Sequence, residues 1–178
     1  SKTKDHGFYS ASYGANSGRV NAMAICRGDA KPENCSSCIK NSTIFSSKNF
    51  VPARERYSNR QLLGKMEFGP LFWMYSEKKV SQAQAKYFNQ VLRTLLNNLK
   101  VKAAYGGSGL KFATGTTRNS PKIYALAQCT PDLSKKQCTE CLINATALLP
   151  QCCDGKAGGR VVAPSCNFRY ETAGRFYA

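Results

Sequence analysis

Residues 129–141 read CTPDLSKKQCTEC, and residues 26–38 read CRGDAKPENCSSC. Both stretches hold three cysteines in a C-x8-C-x2-C frame, so one chain carries the same spacing twice. Three chemistries use such a frame: a metal site, a redox CxxC pair, or a disulfide-stapled unit that has been duplicated. The flanks bear on the choice. At an offset of 103 residues, VNAMAICRGDAKPENCSSCIKNST lies on IYALAQCTPDLSKKQCTECLINAT. Ala22, Ala24, Asp29, Asn41 and Thr43 then fall on Ala125, Ala127, Asp132, Asn144 and Thr146, and Tyr9 falls on Phe112. Agreement at positions other than cysteine marks duplication of a structural unit.

Zinc requires four ligands about one ion, whereas the two CxxC pairs, at 35/38 and 138/141, occupy corresponding positions of separate copies. The chain has a single histidine, His6, which also argues against mixed Cys/His ligation. A thioredoxin-type motif needs two cysteines, and here a third always precedes the pair. Disulfides account for more. Cys129 ends a predicted strand and Cys138 lies in the first turn of the next helix, so a bond between them staples strand to helix. Cys141, one turn on, is placed to reach Cys166 on the last strand, and by correspondence Cys26 pairs with Cys35. Each closure restricts the unfolded chain and contributes roughly 2–4 kcal/mol. Cys38 is left over, because the first copy has no cysteine after it. From Cys38 to Tyr57 is 19 positions, against 29 from Cys141 to Tyr170, so the first copy is shorter there. It is short in front as well, where the second copy has a long helical segment.

Nine cysteines in 178 residues and the sequons at Asn41 and Asn144 point to an oxidising compartment. The expectation is a secreted chain whose leader has been removed, since SKTKDHGFYS lacks an apolar segment and no apolar run is long enough to span a membrane. The net charge of +16 favours polyanionic partners such as acidic polysaccharide. Its lysines and arginines are scattered in short clusters with no nucleic-acid motif, so nucleic acid is not expected as a partner. No paired carboxylates, nucleophile elbow or phosphate loop is present, and GGSG at 106–109 ends a helix instead of opening one. An enzyme, a cofactor and a metal are therefore not expected.

Residues 81–103 repeat apolar side chains at Phe88, Val91, Leu92, Leu95, Leu96 and Leu99, the pattern of an amphipathic helix with Ser81 as N-cap. A second helix begins near Ser134, where Ser134 and Gln137 form a capping box. Strands are predicted at 71–75, 122–129, 160–163 and 166–171. In the last, Cys166, Phe168 and Tyr170 share the packed face, leaving Asn167, Arg169 and Glu171 for solvent or ligand. The mixture lacks βαβ alternation, which predicts an α+β fold: an antiparallel sheet covered by helices.

The repeated frame, followed by CCDGKAGGRVVAPSCNFRYE at 152–171, resembles the ginkbilobin-homologous domain, an extracellular module found in tandem in plant cysteine-rich repeat secretory proteins, receptor-like kinases and plasmodesmata-located proteins. The resemblance implies two units, 1–68 (incomplete) and 69–178, each with an antiparallel sheet bearing two helices on one face. It implies a long helix and further cysteines in a complete first copy, and a cysteine opening the second that is absent here. A vicinal Cys152–Cys153 bond is then the remaining pairing, with Cys38 unassigned. Single-domain members similar to this are mannose-binding antifungal lectins. Their arginine six positions before the last cysteine and glutamate five after it correspond to Arg160 and Glu171. Their asparagine has no match, Ser76 being nearest. The implied function is a secreted apoplastic defence protein binding mannose-type or acidic cell-wall glycan. The alternative is a receptor-like ectodomain for extracellular protein partners, with Leu71, Phe72 and Trp73 of the connecting segment buried so as to fix the two units.

Overall fold

The computed structural model describes residues 7–42, 53–106 and 110–177, in which one antiparallel sheet carries a single helix and a second carries three. The first sheet runs β1 (Phe8–Tyr13), β2 (Val20–Cys26) and β3 (Ala53–Ser58), with α1 (Pro32–Ser42) between the last two strands in sequence. The second contains β4 (Phe72–Tyr75), β5 (Phe112–Thr116), β6 (Tyr124–Cys129), β7 (Gly158–Val162) and β8 (Cys166–Glu171), in the spatial order β4-β7-β8-β6-β5. Its helices are α2 (Gln82–Tyr105), α3 (Lys135–Ala147) and the single turn α4 (Leu149–Cys152). The α+β class holds, with the main core between the five-stranded sheet and α2 and α3.

Phe88, Leu92, Leu96, Leu99 and Ala103 form the buried stripe of α2. Each fully buried leucine or phenylalanine of that stripe is worth roughly 1.5–3 kcal/mol relative to exposure. Ser81 occupies the N-cap without a side-chain bond to the backbone; its hydroxyl donates to Gln84 Oε1 at 3.2 Å. At α3 the Ser134/Gln137 capping box is complete, satisfying two otherwise orphaned backbone N–H groups.

Strand register refines the internal repeat. Phe8 pairs with Ile25 as Phe112 pairs with Gln128. Phe8, not Tyr9, therefore holds the position of Phe112, because the first unit's hairpin carries one residue more between Ser12 and Asn21 than the second between Thr116 and Tyr124. Likewise Cys26 faces Ala53 across the ladder where Cys129 faces Cys166, so an alanine stands where Cys38 would have found its counterpart.

The connecting segment also differs from expectation. Phe72 and Trp73 are 55% and 44% exposed, while Leu71 is only partly buried. The cause is topological: β4 is an edge strand, at the margin of the five-stranded sheet. Leu71 does pack against the main core, together with Met66 and Phe68, and Leu62, buried at 2%, packs with Phe8, Met23 and Ile25 of the first unit.

Corresponding residues of the two units meet opposite fates. The Ala125·Tyr170 pair lies under the helices, with Tyr170 at 0% exposure. Its equivalent, Ala22·Tyr57, is open, with Tyr57 82% exposed: among the described residues α1 covers that face at the Cys26 end, where Cys35 is bonded to it, and the first unit has no counterpart of α2.

Candidate functional site

The pleat of β7 and β8 sorts side chains between core and solvent. Val161, Phe168 and Tyr170 are fully buried on the helix side, which turns Arg160, Arg169 and Glu171 to the opposite face. Tyr170 fastens this arrangement from below: its hydroxyl donates to the carbonyls of Cys153 (3.2 Å) and Lys156 (3.1 Å). Burial, reinforced by the nearby carboxylates of Glu171 and then Asp154, drives its pKa far above the usual tyrosine value.

On the open face the side chains border a cavity of about 290 Å³ lined by Met74, Ser76, Gly158, Arg160, Arg169 and Glu171, among others. Across the β7–β8 ladder Arg160 stands directly opposite Arg169, and Gly158 opposite Glu171. Arg169 donates twice to Glu171 Oε1, from Nε at 3.1 Å and Nη2 at 3.0 Å, and its guanidinium lies 4.3 Å from the centroid of Phe176. The Arg160 Nη2 lies 2.8 Å from Met74 Sδ, and the guanidinium stands 5.9 Å from the Phe72 ring centroid. Burial lowers the Arg160 pKa, the neighbouring Arg169 lowers it further, and Glu171 works in the opposite sense. Ser76 closes one end: its N–H donates to Gly158 O at 2.9 Å and its hydroxyl accepts from Lys78 N at 3.2 Å.

Two adjacent glycines shape the pocket by sterics. A Cβ on Gly158 would sit 2.1 Å from Glu171 Oε2, and one on Gly159 would sit 2.7 Å from Cys153 Sγ on the core side. Thus Gly158 gives the Glu171 carboxylate its room, while Gly159 lets the vicinal cysteines pack beneath the strand.

Arg160 and Glu171 thus line one cavity, together with Ser76. Sequence reasoning placed Arg169 on the outward face but did not give it the role the structure shows, as the partner of Glu171. The signal was present: Arg169 and Glu171 stand two apart on one strand. Sulfur bonds join Cys26 to Cys35, Cys129 to Cys138, Cys141 to Cys166 and Cys152 to Cys153, while Cys38 is buried in α1. Asn41 and Asn144 are exposed on α1 and α3. His6, Thr43 and residues 107–109 of the glycine-rich turn lie outside the described residues.

The two units touch through polar contacts. Gln128 Nε2 donates to Cys26 O at 2.9 Å in a buried position, and an Arg27 guanidinium N–H donates to Phe176 O at 3.0 Å. The connecting segment is tied down by Gly64 N to Asp132 Oδ2 at 2.6 Å and Glu67 N to Ser165 Oγ at 2.9 Å. Among the described residues no helix is long and apolar enough to cross a membrane.

A family model described as salt stress response/antifungal matches residues 1–62 and 75–173. The chain belongs to that family. This salt stress response/antifungal chain is 38% identical over 182 residues to cysteine-rich repeat secretory protein 38 of Arabidopsis thaliana, covering 96% of this chain and 71% of the relative. It is 38% identical over 186 residues to an antimicrobial ginkbilobin-2-like protein of Castanea crenata, covering 96% and 74%. With cysteine-rich receptor-like protein kinase 27 of A. thaliana it shares 42% identity over 93% of its own length, yet it spans only 27% of that kinase. In structure it matches the tandem DUF26 ectodomain of the A. thaliana cysteine-rich receptor-like protein PDLP8, with a TM-score of 0.75, 24% identity, and coverage of 94% and 82%. The corresponding PDLP5 ectodomain matches with a TM-score of 0.68 and 22% identity, covering 93% of this chain and 81% of that one. The tandem DUF26 fold is thereby established, and membership ties the salt stress response/antifungal chain to an extracellular, defence-related class of cysteine-rich proteins.

Proposed function

We propose that this chain is an apoplastic defence protein, non-catalytic, whose second unit (residues 69–178) binds a mannose-type or other cell-wall glycan through Arg160 and Glu171, with residues 1–68 as the adjoining unit. The observation that carries this reading is the shared cavity on neighbouring strands, where a guanidinium donor and a carboxylate acceptor border the same space as Ser76. Sugar hydroxyls both donate and accept, and charge-assisted bonds to ionised partners are roughly twice as strong as neutral ones. Glu171 Oε1 is committed to Arg169, whereas Oε2 points over Gly158 and is the acceptor offered to a hydroxyl. The four disulfides suit an oxidising exterior, and Asn41 and Asn144 are proposed carriers of N-linked glycans. The test is thermal protection of the protein by mannan and a panel of wall glycans. Protection abolished by Arg160→Ala with Glu171→Ala supports the reading; no shift with any glycan removes it.

A second reading is favoured by a different observation. Tyr13 and Tyr57 are 86% and 82% exposed on the first unit, and a buried hydrogen bond links that unit to the second. Such a composite, aromatic surface suits an extracellular protein partner. Small-angle scattering that showed two independently tumbling halves would eliminate it.

A further inference from the structure

Resting on the glycan reading, the charge distribution of the β7–β8 pocket narrows the ligand class. Arg160 and Arg169 are direct cross-strand neighbours on one face of an antiparallel ladder. Like charges so placed are destabilising unless something negative lies between or above them. Among the described residues lining the cavity, Glu171 is the only acid, and both bonds that its Oε1 accepts come from Arg169. Two guanidinium groups therefore face a single carboxylate.

A neutral hexose supplies hydroxyls and apolar C–H faces to this space but no negative charge. A sugar bearing a carboxylate supplies all three, and a planar carboxylate fits the fork of an arginine in a bidentate pair. We propose that the pocket takes a uronic-acid residue of an acidic glycan in preference to a neutral hexose, with Arg160 as the partner of the ligand carboxylate. Its hydroxyls meet Glu171 Oε2 and the Ser76 end, and its C–H face lies on Met74. Arg169 acts as a positioning residue, holding Glu171 in place from its stacked seat on Phe176.

The experiment is a calorimetric titration of the whole chain with three probes: a galacturonic acid trimer, the methyl ester of that trimer, and neutral mannotriose. The ester keeps every ring hydroxyl and removes only the charge. At physiological ionic strength, which screens diffuse attraction to the basic surface, the acid is expected to bind at least about tenfold more tightly than the ester. Arg160→Met, which retains bulk but not charge, brings the acid down to the level of the ester. The double change Lys135→Ala and Lys136→Ala, on the exposed start of α3, leaves it unaltered. Equal binding of acid and ester, or tighter binding of mannotriose, overturns the uronate inference and leaves glycan binding standing. Acid binding that survives Arg160→Met but is lost with the lysines overturns it as non-specific attraction. No binding of any of the three removes the inference, and the glycan reading falls with it when the wall-glycan panel gives no thermal protection either. Equal affinity for acid and ester on the unchanged protein overturns the inference even if a variant fails to fold.

Discussion

Gly158 and Gly159 are neighbours on β7, and adding the same methyl group to each is expected to have opposite consequences. At Gly159 the new Cβ meets Cys153 Sγ at 2.7 Å, the Tyr170 ring at 3.0 Å and Cys153 Cβ at 3.1 Å. All belong to buried side chains, and both Cys153 and Tyr170 are further held, by a disulfide and by two hydrogen bonds. Overpacking of this kind costs about 1–3 kcal/mol, which lowers the melting temperature of a unit this size by several degrees. At Gly158 the new Cβ meets Glu171 Oε2 at 2.1 Å, the far end of a side chain that can rotate away. Alanine is also less costly than glycine within a strand by roughly 0.5–1 kcal/mol, so Gly158→Ala is expected to leave stability within about 0.5 kcal/mol of the original. What it displaces is the acceptor offered to a glycan. The assay is chemical denaturation of both variants beside glycan titration: Gly159→Ala destabilised, Gly158→Ala stable but impaired in binding. Should Gly158→Ala prove the unstable variant and Gly159→Ala the neutral one, the assigned faces of β7 are wrong.

Loop closure ranks the disulfides: Cys141–Cys166 spans 25 residues and Cys129–Cys138 spans 9, giving about 3.5 and about 2.6 kcal/mol on the chain-entropy relation. Paired alanine variants compared by urea unfolding should show that order, and the reverse order would count against an entropic origin. Tyr170 is held protonated in the fold, so its contribution is fully present below about pH 10, the ordinary tyrosine value, and is lost as pH rises above it. Accordingly Tyr170→Phe, which also takes the hydroxyl from the Lys156 carbonyl while Cys153 O keeps the Lys156 N–H, should lower stability at neutral pH by about 1–3 kcal/mol and flatten the alkaline decline; an unchanged alkaline slope would contradict the assignment. Gln128→Ala leaves the Cys26 carbonyl without its buried donor, costing about 1–3 kcal/mol and loosening the two units. Unchanged stability and an unchanged scattering profile would show that this bond does not join them.

Much of this architecture is written in local sequence rules. The stripe from Phe88 to Leu99 specifies α2 because apolar side chains three and four apart can share only a helical face. Ser134 and Gln137 mark the start of α3 through a capping box whose partners lie within one turn. The fates of Phe72 and Trp73 were not legible, since hydrophobicity favours burial everywhere and only the strand order shows that β4 lies at the sheet edge. Tyr9 and Phe8 could not be told apart by an ungapped offset, because a one-residue difference in a hairpin changes register without altering either strand's composition. At the pocket, alternation along β8 turned Arg169 and Glu171 outward together. That Arg160 stands opposite Arg169 depends on the β7–β8 register, a non-local property that residue spacing along one strand does not carry.

The most direct measurement is amide chemical-shift mapping of the isotopically labelled chain during titration with an oligosaccharide, using the galacturonic acid trimer and mannotriose in turn. The account predicts saturable shifts concentrated at residues 74–76, 158–160 and 169–171, the rim of the β7–β8 cavity. Shifts confined to the exposed lysines of α2 and α3, or none with either sugar, would contradict it.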